Sequence, residues 1–255
     1  MVFPLYDDNT DRRLTPFVNY AIIALNIFVF VVLQKLGSDT TFTYAFSTVP
    51  LEIVTGQDVV TPAREILDPV TRQSVEIPGL GRTPGSVYLT LFTSMFMHGG
   101  IAHILGNMLF LWIFGDNIED RLGHVRYVIF YLLCGLIASL AHVFTTAALA
   151  SQQASMVIPS LGASGAISGV LGGYILLHPS RRVTVIMFRF LTQVPAYVAI
   201  GLWFLFQLIS GLGMLGEGSQ QGGVAYAAHI GGFVAGLVLI KFFDIGHRNR
   251  AAAGY

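Results

Sequence analysis

Six long apolar runs separated by polar stretches organise the chain, at roughly 16–36, 101–115, 125–148, 161–178, 194–213 and 224–243. A helix needs about 20 mostly apolar residues to cross a bilayer, fewer where it is short and tightly packed, so each run predicts a transmembrane helix. The first run is too long for the core of a secretory signal and no small-residue cleavage site follows it, which predicts a retained anchor. The pattern therefore gives an all-α membrane protein with six transmembrane helices. Residues 1–15 form a short N-terminal stretch with no recruiting domain of its own, 16–243 a single membrane domain, and 244–255 a tail. A long loop, about 37–92, separates the first two helices, and its Phe42, Tyr44, Phe46, Leu51 and Ile53 predict a structured cap partly sunk in the membrane interface. Composition agrees, since 54% hydrophobic against 11% charged residues is too apolar for a soluble surface.

The net charge of zero selects no partner, but the positions of the charges orient the chain. Arg12, Arg13, Arg121, Arg126, Arg181, Arg182, Arg189, Lys241, Arg248 and Arg250 fall on one side of a six-helix topology, leaving only Lys35, Arg64, Arg72 and Arg82 in the first loop on the other. Basic residues stay cytoplasmic, so both termini are expected there and the long loop outside. No phosphate-binding loop, basic nucleic-acid patch or internal repeat is present. The single cysteine, Cys134, lies within the third span and reads as a packing residue.

The fourth run is poor in bulk. Between Pro159 and Pro179 it carries five glycines, with Ser164 and Ser168 where leucine would be expected. Gly165, Gly169 and Gly173 recur every four residues, and Gly232 and Gly236 repeat that spacing in the sixth run. Lines of small residues let helix backbones approach closely in lipid, so Gly165, Gly169, Gly232 and Gly236 predict tight packing of spans four and six. Packing accounts for the glycines but not for His229, which shares their face. An ionisable side chain within a span is costly and marks function by default.

Spans four and six both run inward from the outer face, which puts Ser164 and His229 about 5 and 8 Å below it at 1.5 Å per residue. Span two enters from the same side with His98, His103 and Asn107 near its start, the last two at i, i+4 on one face. A serine hydroxyl becomes a nucleophile when a histidine within about 3 Å takes its proton, which suits Ser164 and His229. Acyl transfer also needs donors for the developing oxyanion. Asn107, His103 or His98, and the backbone N–H of Ser164 presented by the Gly162-Ala163-Ser164-Gly165 turn are suitable. No carboxylate precedes Asp244 in span six, so the expected unit is a dyad.

These residues resemble the rhomboid family of intramembrane serine proteases. The matching stretches are HGGxxHxxxN from His98 to Asn107, ExRxG from Glu119 through Arg121 to Gly123, GASG from Gly162 to Gly165, and AHIGGFxAG from Ala228 to Gly236, in the family's order. The resemblance implies a six-helix rhomboid-like bundle of bacterial type, in a plasma membrane, that cleaves single-span membrane proteins in or beside their transmembrane segments. It also implies Ser164 as nucleophile, His229 as base, and His103 with Asn107 at the oxyanion site. Two positions depart from the family pattern: Leu89 and Thr90 stand where many members have a Trp-Arg pair, and Ser168 stands where an aromatic ring often stacks on the histidine. Phe96, Phe110 and Trp112 are the alternative sources of such a ring.

Rival classes fit less well. A catalytically inactive relative acting as a membrane chaperone would be expected to lack the nucleophile or the base. A zinc enzyme built on His98, His103 and His229 would leave Ser164 without a role. A transporter would carry polar groups across the full depth of the membrane, often with inverted repeats. No cofactor, metal or nucleic-acid partner is expected, only transmembrane substrates and the lipid bilayer. Glu119 with Arg121 reads as a structural clamp on the loop after span two, and His142 and His178 as hydrogen-bonded or interfacial groups.

Overall fold

The computed structural model describes residues 2–67, 74–149, 153–187, 190–213 and 226–245. Arg72, Arg189, Arg248, Arg250 and His247 lie outside them, as does the tail beyond 245. The elements in chain order are β1 (Val2–Asp7), α1 (Phe17–Phe28), α2 (Thr40–Ala45), α3 (Pro50–Thr55), β2 (Arg64–Leu67), β3 (Ser74–Ile77), α4 (Thr90–Thr93), α5 (Ile101–Leu122), α6 (His124–Leu149), α7 (Ser164–Leu177), β4 (Arg182–Met187), β5 (Phe190–Pro195), α8 (Ala196–Gly213) and α9 (Tyr226–Phe243). Helices α5, α6 and α9 are long and apolar enough to cross a membrane, and shorter apolar helices occupy Phe17–Leu33, Ser164–Leu177 and Ala196–Ser210. Their outer surfaces expose Phe28, Leu105, Phe144, Phe206, Ile209 and Val238, side chains suited to lipid contact.

Helix α7 is the centre of the bundle. Every residue from Gly165 to Tyr174 is buried, so this stretch of the helix has no lipid-facing side. A helix of 14 residues is only about 21 Å long, and it is packed against α5, α6, α8 and α9. Its glycines are where those neighbours come in. A Cβ on Gly232 would lie 2.0 Å from the Gly165 carbonyl oxygen, and one on Gly236 2.0 Å from that of Gly169. Backbone therefore meets backbone between α7 and α9. The Cα faces of Gly165 and Gly169 turn instead to α6, where an added Cβ would meet Ala138 at 2.6 Å and Cys134 at 2.4 Å. Gly173 packs against Phe130 and Ile240. The small-residue line thus seats α7 in a three-helix junction, with Cys134 as part of its wall.

The chain is not purely helical. β1, β4 and β5 form an antiparallel sheet in that order, with Val2 opposite Met187 and Asp7 opposite Val183, and β2 pairs with β3 in the long loop. The β-branched stretch Arg182–Met187 has its consecutive residues Val183, Thr184 and Val185 all buried, so both faces of the strand are covered at its middle. Asp7 closes this sheet against the helices: its Oδ2 accepts hydrogen bonds from the Tyr174 hydroxyl at 2.5 Å and the Asn117 amide at 2.8 Å. Burial pushes the Asp7 carboxyl up to about 7, against the opposing pull of the Tyr174 hydrogen bond. Arg181 joins the same cluster through Asn117, and its Nη2 donates to both carboxylate oxygens of Asp11 at 2.7 and 2.6 Å.

Helix α5 outruns the apolar segment expected to end near 115 by two turns, and those turns carry the charges that tie the bundle together. Glu119 accepts the N–H groups of Val18 and Asn19 at 3.0 and 2.6 Å, satisfying otherwise unpaired donors at the start of α1, and it meets His124 Nδ1 at 2.5 Å. Arg121 makes two bonds to Asp244 at the end of α9, at 2.6 and 3.2 Å. Glu119 and Arg121 therefore do not clamp one loop. Residues two apart on a helix point away from each other, so one holds α1 and the other α9. Gly123 then turns the chain into α6 with φ +76°, a conformation that costs other residues but not glycine.

Candidate active site

At the end of the bundle opposite the β1-β4-β5 sheet, the serine and histidine singled out in the sequence come together. Ser164 opens α7 and His229 sits in the first turn of α9. His229 Nε2 lies 2.8 Å from Ser164 Oγ, within hydrogen-bond range and with both side chains half-buried. The close approach of Gly165 to Gly232, one residue beyond the serine and three beyond the histidine, sets that distance. A cavity of about 20 Å³ adjoins Ser164, lined in part by Met95, Gly135, Ala138 and Ala228, and is large enough for about one water molecule.

The donors expected from span two converge on the same point from α5. A Cβ on Gly162 would meet His103 Nε2 at 2.8 Å and Asn107 Nδ2 at 3.7 Å, so both side chains face the backbone two residues before Ser164. Gly162 has φ +122°, in the region that favours glycine, and its N–H donates to the Ser94 carbonyl at 2.8 Å. Ala163 is fully buried beneath the turn. Because Ser164 is the first helical residue, the N–H groups of this turn have no acceptor within the helix and carry the positive end of its dipole. His98 is not beside them. It is fully buried behind Asn107, whose Nδ2 lies 3.0 Å from His98 Nε2, and its ring meets that of His103 edge to face at 5.2 Å.

Supporting contacts hold this arrangement from the segment between α1 and α5. Gln34 follows a short π-helical turn, Val29–Leu33, at the end of the first apolar helix. Its amide donates to the His98 carbonyl at 2.8 Å and to Thr43 Oγ1 at 2.8 Å, while its oxygen accepts the His98 N–H at 3.0 Å. Thr48 and Ser160 exchange backbone bonds at 2.9 and 2.8 Å, anchoring the segment that leads to Gly162. The described part of this segment is thus a structured brace on the serine turn. Its Glu52 is buried, and burial raises that carboxyl while the N–H of Val59 and the hydroxyl of Thr83 stabilise the anion.

Two neighbours of His229 come from α8 and have no counterpart among the residues expected in the site. Trp203 lies over the ring with centroids 6.0 Å apart and planes tilted by 39°, supplying the aromatic contact that Ser168 cannot make. Phe96, Phe110 and Trp112 do not fill that place. Phe110 instead packs against Trp203 at 6.3 Å, and Trp112 stacks on Tyr20 at 5.2 Å. Ser168 turns its hydroxyl back onto the Ser164 carbonyl at 2.6 Å. The second neighbour is Gln207, whose Oε1 lies 2.8 Å from His229 Nδ1. The sequence carries one signal for it: it is the only amide within an otherwise apolar span. Among the described residues, no group of three His, Cys, Asp or Glu side chains is arranged to hold a metal ion.

Residues 85–244 match the Rhomboid domain family. The chain is 31% identical over 150 residues to the mitochondrial Rhomboid protein 1 of Saccharomyces cerevisiae, which covers 59% of this chain and 40% of that protein. It is 31% identical over 148 residues to the Rhomboid protease GluP of Bacillus subtilis (58% of this chain, 24% of that protein) and 31% identical over 156 residues to RHOMBOID-like protein 4 of Arabidopsis thaliana (58% and 32%). The alignments therefore span well under half the length of these relatives. With a family match over more than half of its residues and apolar helices of membrane-spanning length, the chain belongs to the rhomboid family of integral membrane proteins.

Proposed function

We propose that this chain is an intramembrane serine endopeptidase acting through Ser164 and His229 on single-span membrane proteins. The observation that carries the reading is the 2.8 Å contact between His229 Nε2 and Ser164 Oγ beside His103, Asn107 and Gly162. In this mechanism His229 takes the proton as Ser164 Oγ attacks the scissile carbonyl. The carbonyl oxygen becomes an oxyanion, met by the backbone N–H of Ser164, the Asn107 amide and the His103 ring. Collapse breaks the C–N bond, with His229 returning the proton to the leaving amine. Water then attacks the acyl-Ser164 ester by the same proton route, releasing the acid. His98 supports Asn107 from behind rather than meeting the substrate.

In this reading six helices cross the membrane, with α1 and the π turn as the first and both termini on the cytoplasmic side, as the basic residues favour. The site then lies near the outer surface, so the scissile bond belongs near the outer end of a substrate helix. That stretch must leave its helical hydrogen bonds before its carbonyl can be attacked. Purified protein in liposomes should cut a single-span substrate once near that end, and both Ser164→Ala and His229→Ala should abolish cutting. The double variant should lose no more than either single one, since the two act as a unit. Cleavage that survives in pure Ser164→Ala protein overturns the proposal.

A further inference from the structure

We infer that Gln207 is a positioning residue for His229, so that the working unit is Ser164, His229 and Gln207 rather than a dyad. The inference rests on the proteolytic reading above and deepens it.

Both ring nitrogens of His229 are engaged, Nε2 by Ser164 Oγ and Nδ1 by Gln207 Oε1, each at 2.8 Å. An amide oxygen only accepts, so Nδ1 must donate to it. A neutral imidazole carries one proton, and placing it on Nδ1 leaves the Nε2 lone pair directed at the serine hydroxyl. That is the one tautomer in which His229 can take the serine proton. With the proton on Nε2 the ring would donate to Oγ and could not act as its base. Gln207 thus supplies the function that the missing carboxylate would supply in a triad, namely fixing the tautomer and the ring orientation.

Local structure explains how α8 holds Gln207 there. Trp203 and Gln207 are four residues apart on that helix and share a face, so the ring contact and the hydrogen bond reach His229 together. Phe204 stacks on Phe233 with centroids 4.1 Å apart and planes 21° from parallel, locking α8 to α9 one turn below the histidine. Gln207 is only 7% exposed. In that setting a neutral amide orients the imidazole without the desolvation that a buried carboxylate demands.

The test uses the full-length protein in liposomes and Gln207→Met, a variant of similar length that has no strong acceptor. Its kcat should fall by about 10- to 100-fold with KM unchanged, the loss expected for one buried hydrogen bond made to the reacting group. Gln207→Glu restores an acceptor at the same reach and should recover most of that loss. Independently of activity, ¹⁵N spectra of histidine-labelled wild-type protein should show His229 protonated at Nδ1 and bare at Nε2, and Gln207→Met should mix the two tautomers. A wild-type His229 protonated at Nε2 overturns the inference, as does a Gln207→Met protein with unchanged kcat. The tautomer can be read in protein without protease activity, so failure of the proteolytic reading would show separately, as an inactive wild type with the Nδ1–H form intact.

Discussion

The backbone contact between α7 and α9 makes Gly232→Ala a sensitive probe of the site. A single added Cβ would stand 2.0 Å from the Gly165 carbonyl oxygen and 3.2 Å from Ala138 Cβ, whereas ordinary contact begins near 3.4 Å. The obstacle is backbone on a fully packed helix, so no side chain can swing away. The helices must separate by more than an ångström at a point one residue from Ser164 and three from His229. A displacement of that size stretches the 2.8 Å Oγ···Nε2 contact beyond hydrogen-bond range. Misplacement of about 1 Å costs on the order of 100-fold in rate, and overpacking costs about 1 to 3 kcal/mol of stability. The assay is kcat for a single-span substrate in liposomes, with thermal unfolding measured on the same sample. Gly201→Ala on α8 is the control, because a Cβ there meets nothing within 4 Å, and it should keep wild-type kcat and stability. Equal kcat in Gly232→Ala and Gly201→Ala would refute the argument that the glycine contact sets the dyad distance.

Asn107→Ala removes one of several oxyanion donors and should lower kcat by at most about 10²- to 10³-fold; complete inactivity in a folded sample would make Asn107 essential rather than auxiliary. The Asp7 carboxyl, raised to about 7 in the fold, favours docking of β1 most at pH below its unfolded value near 3.8, and this stabilisation is lost as pH rises through 7. Amide exchange in β1 should therefore show more opening at pH 8 than at pH 6 once corrected for intrinsic rates, and Asp7→Asn, which mimics the protonated form, should flatten the difference; an unchanged pH response in that variant contradicts the assignment. Glu119→Ala should strip two backbone donors of α1 of their acceptor and lower thermal stability by about 2 to 4 kcal/mol, whereas stability equal to wild type would show that water replaces the carboxylate freely. Glycine or proline placed at the cut site of a substrate should speed cleavage, and consistent slowing would show that helix unwinding is not required.

The bundle was legible because membrane spans announce themselves by length and apolarity, and the GASG and AHIGG stretches carry both the packing surface and the chemistry. Residues at fixed short spacing, such as His103 with Asn107 or Gly165 with Gly169, could be placed on faces before any tertiary contact was known. What depends on lateral placement of helices could not. Gln207 and Trp203 reach His229 only because α8 packs beside α9, and nothing local marks which of the aromatics in an apolar span turns inward. Glu119 and Arg121 belong to different contacts because α5 continues past Gly115 into charged residues that hydropathy alone assigns to a loop. β1 escaped because its partner β4 lies some 180 residues away, and a strand with a distant partner leaves a weak local pattern.

The central claim is that Ser164 is a nucleophile activated inside the membrane. Incubating the purified protein with a fluorophosphonate probe and locating the adduct by mass spectrometry tests it most directly. The account predicts one phosphonylated residue, Ser164, with labelling lost in His229→Ala; an adduct on another serine, or labelling of Ser164 that is indifferent to His229, would contradict it.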